Sequence, residues 1–600
     1  MDRRQRGDHA GDHDRDRHRG GRGRGRHRRY RAVHDRRGRA GTTDRGAAAP
    51  GVSARASNAA SPGERVASAA VFLALVGLAG GLRFWGIHQS LPLVTGRPDE
   101  REILQYTAGF PAGDLNPRWF IYPNLYFYVV FAWERLVLAV RGLWLTTSDY
   151  GLTLRTALAS LILYGRWLSA LAGTLTVPAV WAIGRRLGGE GLGLAAAALL
   201  ATDFLHVRDS HTLKPDTLLA LGLLISVWLV ARWRERPGRG AAIAAGVAIG
   251  LTTGIKYPGI LLLFPAWVVD PRAGRRGIGR LLPSVDLLAL VAAAALTIVL
   301  TNPYLVLDLG RTRDTATFST RAIYATRPEA TPAAGAGALA RAVTFVRTRA
   351  FGYHLGVSLR HGAGLAVALA TPLALLVALR RPRRPFLVLA SVFMVFYYLV
   401  AGTSPVHLAR YLTPVVPLLA LLVAELARVA VAPLRSPALR GALFAGLVAA
   451  LAAEPLASCV AYDRIASRTD TRVLATRWMT DHLPPGAAIA VLGSVYFPIA
   501  DPDVPPGARR IALPLGATDL ARRGVGYVVT HEHHQIPFSR LIPQQIEALR
   551  PHLHLLAEFS PYRDGPAGVF EDEDAYYVPF YGFDGVERPG PLVRIYAYHP

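Results

Sequence analysis

Residues 194–230 read LAAAALLATDFLHVRDSHTLKPDTLLALGLLISVWLV. Two apolar blocks enclose a short segment holding His206, Arg208, Asp209, Ser210, His211, Lys214, Pro215 and Asp216. A helix needs about 20 apolar residues to cross ~30 Å of hydrocarbon, and the flanking blocks approach that length. Ionisable groups are costly beside hydrocarbon, so charge this dense at a span boundary marks a functional site. The stretch therefore predicts a helical membrane domain with its chemistry at the helix ends.

The rest of the chain repeats this pattern. Hydrophobic residues make up 51% of the 600 residues, and they cluster in blocks rather than alternating. Roughly a dozen stretches approach transmembrane length, near 66–85, 119–141, 159–184, 190–207, 214–232, 240–256, 258–270, 282–301, 362–380, 385–402, 410–431 and 441–457. Arginine is concentrated in short loops: Arg185 and Arg186, then 232–239, 272–280, 380–384 and 435–440. Placing these inside puts 209–216, 256–259, 302–308 and 403–410 outside, with everything after about 458. The N-terminal third closes only if either 119–141, interrupted by Glu134 and Arg135, or the short 190–207 fails to cross. The expectation is about eleven spans.

The net charge of +26 does not indicate nucleic acid. Residues 1–65 hold 18 Arg and 8 acids, and the remaining arginines lie mainly between apolar blocks. Residues 1–62 lack apolar periodicity and are expected to be a disordered Arg-rich tail, or a start assigned too early. The single cysteine, Cys459, excludes an intramolecular disulfide framework and a Cys-rich zinc site. The Arg, Ala, Gly and Pro bias suggests a bacterial source, with the chain in the cytoplasmic membrane and its N-terminus cytoplasmic.

Three regions follow: the tail 1–62, a transmembrane domain 63–457 with outer loops 86–118 and 302–361, and a soluble domain 458–600. The last region has a helical pattern at 471–482, a Pro484-Pro485-Gly486 turn, and strand-like runs at 488–492, 526–530 and 593–597. The fold class is thus an all-α polytopic membrane domain followed by a small periplasmic or extracellular α/β domain.

Charged and polar residues gather in the expected outer loops. The first loop holds Asp99 and Glu100, which would point about 100° apart on a helix, so one can act while the other positions a partner. Arg118, Tyr122 and Asn124 follow, although an interfacial aromatic belt explains the tyrosine equally well. An Asp or His pair within the segment holding His206, Asp209, His211 and Asp216 could hold a divalent metal, but no HExxH- or CxxC-type spacing supports it. Lys256 and Tyr257 sit at a sharp turn, where a phosphate suits the cation. Asn302 and Tyr304 form another polar site, and His407, Arg410 and Tyr411 a further one. Both lysines of the chain, Lys214 and Lys256, and three of its four asparagines lie in these loops. Among so many arginines, a retained lysine suits a need for a compact ammonium.

These residues resemble the glycosyltransferase C superfamily, in particular bacterial relatives of dolichyl-phosphate-mannose protein mannosyltransferases and of the aminoarabinose lipid A transferase. The resemblance covers roughly 66–430 and rests on Asp99-Glu100, the segment 122–126, Gly165-Arg166, the segment 208–219, Lys256-Tyr257 and 302–304. It implies inverting transfer from a polyprenyl-phosphate sugar to a protein, lipid or glycan acceptor at the membrane's outer face. Asp99 would be the general base with Glu100 positioning it, Asp216 matches a family aspartate, and Asp209 is its nearest competitor. Lys256, Arg208, Arg410 and Lys214 would hold the donor phosphate. The aminoarabinose branch has Lys-Pro-Pro where this chain has Tyr122-Pro123-Asn124, so its phosphate contact is missing or replaced. The oligosaccharyltransferase branch needs a Trp-Trp-Asp run, which is absent from this sequence. A transporter or flippase of lipid-linked sugars would more often show internal repeats. A non-catalytic cell-envelope protein is the other alternative.

Overall fold

The computed structural model describes residues 61–141, 157–271, 282–326, 337–381, 384–493, 501–511, 519–571 and 577–600. The expected tail, apart from Ser61 and Pro62, and the arginine run 272–280 lie outside these residues.

Each of the apolar stretches is largely helical, although some are broken into two shorter helices. The first, Pro62–Phe84, begins with a capping box in which Ser61 and Glu64 satisfy each other's backbone N–H groups. Leu158–Gly188 and Glu190–Ala201 turn on Gly189, whose φ of 90° suits a residue without Cβ. They pack so closely that a Cβ on Gly184 would lie 2.9 Å from Gly193 Cα. Glu190–Ala201 rises only roughly 18 Å, because Asp203 caps a separate short helix, Phe204–Asp209.

Among the described residues, six helices are long and apolar enough to cross a membrane. Ala338–Gly362 and Leu365–Leu379 form a further pair bent by 117°, and four shorter helices are also apolar. An expectation of about eleven spans therefore requires the shorter helices to cross as well. The helices bare leucine and valine on their outer surfaces, such as Leu296, Leu300 and Leu369, as a lipid-facing surface demands. Residues 302–361, expected as a loop, contain the helices Leu309–Thr326 and Ala338–Thr348.

The last membrane-domain helix, Pro437–Ala466, continues past the expected boundary at 458. After Thr471–His482 comes a five-stranded sheet. Its strands are β1 (Ala488–Leu492), β2 (Arg509–Ile511), β3 (Tyr527–Glu532), β4 (Leu553–Phe559) and β5 (Leu592–Tyr598). Their order is β2-β1-β3-β5-β4, with β1 parallel to both neighbours and β5 antiparallel to both of its own. Alternation in β1 and β3 sends Ile489 and Val529 to a core with Ala475 and Met479, and Ala490, Leu492 and Val528 to the opposite core.

Candidate active site

The site is built from the ends of helices. Asp99 opens Pro98–Tyr106, Asp216 opens Asp216–Glu235, and Lys256 caps the end of Arg239–Ile255. A carboxylate at a helix start and a cation at a helix end each complement the helix dipole. Lys256 Nζ lies 2.6 Å from Asp216 Oδ1. Asp99 Oδ2 lies 3.2 Å from Lys214 Nζ and 3.8 Å from an Arg410 guanidinium nitrogen. Lys256 also lies 6.0 Å from the Tyr122 ring centroid and 5.9 Å from that of Tyr411.

Exposure separates the four candidate carboxylates. The Asp99 side chain is 32% exposed, against 1% for Glu100, 7% for Asp209 and 1% for Asp216. Glu100 instead accepts from Arg166 Nε and Nη2 along one edge of the guanidinium, at 2.9 and 2.6 Å, and from Leu213 N–H at 2.9 Å. Arg166 also donates to Ile87 and Gln89 carbonyls at 2.8 and 2.9 Å. Gly165 is needed beside it, because a Cβ there would lie 2.6 Å from Leu213. The Gly165-Arg166 pair thus lets the 204–216 turn approach and locks it to the first loop.

The asparagines hold the loops. Asn302 Oδ1 accepts Leu125 N–H at 2.9 Å, and Asn116 donates to Asp308 at 2.8 Å. Tyr257 Oη donates to Phe120 carbonyl at 2.8 Å. Asn124 is fully buried, and its side-chain oxygen and nitrogen have no hydrogen-bond partner among the described residues. The Tyr126 hydroxyl and Asp216 Oδ2 are likewise unmatched there. These groups leave polar capacity beside the Lys256 pair.

Other candidates face elsewhere. Arg118 pairs with Asp114 at the surface, 2.5 Å away. Tyr304 opens the short helix Tyr304–Leu307. Arg208 lies 2.7 Å from Glu571 and 5.0 Å from the Phe580 ring centroid. Asp209 accepts from the Thr413 hydroxyl, while His211 faces Trp85 carbonyl at 2.8 Å and Asp463 at 3.3 Å. Asp209 and His211 therefore diverge, and no group of three or more His, Cys, Asp or Glu side chains suited to a metal occurs among the described residues. Arg166 and Glu571 were not singled out by role in the sequence. The signal for Arg166 was its position within an apolar block, and for Glu571 the acidic run 571–574.

Two cavities lie outside the Asp99 cluster. One of about 240 Å³ is apolar, lined by Leu412, Val415, Leu375, Met394 and Tyr398 among others, close in sequence to Arg410. The larger, about 880 Å³, lies in the C-terminal domain against His533, His534, Tyr562 and Arg594, and shares no lining residue with the Asp99 cluster.

Charged helix ends around the partly exposed Asp99 carboxylate, in a largely helical domain, are what the resemblance of the loop motifs to the glycosyltransferase C superfamily leads one to expect. More particularly, residues 125–304 match the model of a family described as dolichyl-phosphate-mannose-protein mannosyltransferase, one of the families resembled by the loop motifs. No curated protein matches the sequence. Among solved structures, the chain is similar to the Archaeoglobus fulgidus oligosaccharyltransferase tethered with an acceptor peptide. Identity is 11%, TM-score 0.46, and 89% of each chain is covered. It is also similar to ArnT from Cupriavidus metallidurans bound to undecaprenyl phosphate, at 16% identity and TM-score 0.43, covering 89% of this chain and 98% of that one. A third is the arabinofuranosyltransferase AftD from Mycobacteria, at 15% identity and TM-score 0.35, covering 89% and 40%.

Proposed function

We propose that the chain transfers a sugar from a polyprenyl-phosphate-linked donor to an acceptor hydroxyl at the outer face of a bacterial cytoplasmic membrane, with inversion at the anomeric carbon. The observation that carries this reading is Asp99: the open carboxylate among four, flanked by Lys214 and Arg410. The acceptor oxygen bonds to the anomeric carbon as the bond from that carbon to the phosphate oxygen breaks. The electron pair leaves with the polyprenyl phosphate, and the acceptor proton passes to Asp99. Lys214 and Arg410 meet the growing phosphate charge, which needs cations more than a proton donor. Lys256 is paired with Asp216, which offsets most of its charge, so it is a weaker partner for the phosphate than Lys214 and Arg410. The apolar cavity, whose lining includes Leu412 two residues along the chain from Arg410, suits part of a polyprenyl chain.

The test is transfer from radiolabelled polyprenyl-phosphate hexoses to endogenous acceptors in membranes, with wild type and Asp99→Asn at matched expression. Loss of a base typically costs about 10²–10⁴-fold in rate, and a loss of at least that lower size is expected. Undiminished transfer by the variant would remove Asp99 as the base. No transfer from any such donor by folded wild type would overturn the transferase reading in favour of transport or a non-catalytic role.

A further inference from the structure

We infer that Glu571, from the C-terminal domain, is a positioning residue for the transfer site, fixing the segment that brings Arg410 to Asp99. This rests on reading the Asp99 cluster as the place of transfer. The Glu571 side chain is 3% exposed and meets three groups of the membrane domain. Its Oε2 lies 2.7 Å from Arg208, and its Oε1 accepts from Ala409 N–H at 2.6 Å and from the Tyr353 hydroxyl. Ala409 begins the 3-10 helix Ala409–Val415, and the next residue is Arg410. The first N–H groups of a helix lack partners within it, so the carboxylate satisfies one and fixes where the helix starts.

The same segment is fastened on both sides. Before it, His407 stacks on Tyr353 with ring centroids 5.2 Å apart, and after it Thr413 donates to Asp209. Glu571 itself is anchored through its neighbour: Phe570 N–H donates to Gln535 at 2.7 Å, and the Phe570 ring meets His533 edge-on at 4.4 Å. The C-terminal domain thereby sets the register of Arg410, whose guanidinium stands 3.8 Å from Asp99. Removing one partner of a buried carboxylate–arginine pair is costly, and Glu571 also holds the residue that precedes Arg410. Its placement one residue from a cation of the site gives it a further use.

The test compares wild type, Glu571→Ala, Glu571→Gln and Glu571→Ala/Arg208→Ala in the full chain. Displacing a phosphate-facing cation by about 1 Å weakens donor engagement, so Glu571→Ala is expected to raise donor KM and lower kcat/KM roughly 10- to 100-fold. Loss of folded protein alone would lower the maximal rate at unchanged KM. Glu571→Gln keeps a carbonyl for Ala409 N–H and should recover part of the loss. Removing Arg208 as well should recover nothing. If Glu571 only neutralised Arg208, the double variant would regain activity, and the inference would fall. Hydrogen exchange gives a readout without activity: the Ala409 amide should exchange faster in Glu571→Ala, and unchanged exchange would also overturn the inference. A wild type that transfers nothing would sink the transferase reading, while the exchange result would still decide whether Glu571 fixes the segment.

Discussion

Neighbouring carboxylates have opposite circumstances. Glu100 is buried against Arg166, whereas Asp99 opens to the site. Breaking a buried pair while leaving one charge behind costs about 3–5 kcal/mol. Glu100→Gln should therefore lower the thermal midpoint of the purified protein by several degrees, whereas Asp99→Asn should leave it nearly unchanged and lose transfer. Equal midpoints for Glu100→Gln and wild type would show that the Arg166 pair does not hold the first loop. At this scale the sequence was informative where a residue type was scarce. Both lysines and Asn302 stood out in a chain otherwise dominated by Arg and Ala, and the structure brings Lys214 and Lys256 into one cluster with Asp99 and Asp216. Pairings across long separations had no local trace: Glu100 meets Arg166 from another helix, and Arg208 meets Glu571 from another domain.

Helix Arg239–Ile255 carries Gly246, Gly250 and Gly254 on one face at four-residue spacing. A Cβ on Gly246 would lie 2.2 Å from Leu290 carbonyl, and one on Gly250 would lie 2.8 Å from Ala294 carbonyl. Without side chains, this helix lies directly against Val285–Thr301, and Gly254 meets Asn302, which holds Leu125. Small residues allow such close approach where both helices are equally apolar. Gly250→Leu should force the pair apart, lowering both the yield of folded protein and transfer, while Gly240→Leu, with open space around it, should be tolerated. Comparable loss in both would argue against the close contact. Apolar blocks were visible as helices because they are long. Strand β2 has only three residues, and β4 is an edge strand with a bulge between Leu555 and Ala557, so neither displays clean alternation.

The C-terminal domain adds a pH dependence of its own. His533 Nδ1 accepts N–H bonds from Gln535 and Ile536, each 3.1 Å long. Burial, followed by the adjacent His534, lowers its pKa from 6.5 to about 3. Protonating Nδ1 would break both bonds, while an unfolded histidine takes up its proton below about 6.5. Between about 6.5 and 3 the unfolded chain binds more protons, so stability falls as pH drops through that window, by up to about 1.4 kcal/mol per pH unit. His533→Asn keeps an acceptor and should flatten the decline in thermal midpoint between pH 7.5 and 5. Equal slopes in variant and wild type would exclude His533 as its source. On the scale of the whole chain, the helical region and the small C-terminal sheet were legible in the sequence, but the reach of Glu571 to Arg208 was not. Glu571 follows Asp99 by roughly 470 residues, on the order of half a minute to a minute and a half of synthesis at ~5–20 residues per second. The growing chain thus completes its apolar helices before this tether exists, so maturation includes a timed assembly step: a ribosome-bound or prematurely ended chain would carry the Asp99 cluster without the clasp that registers Arg410.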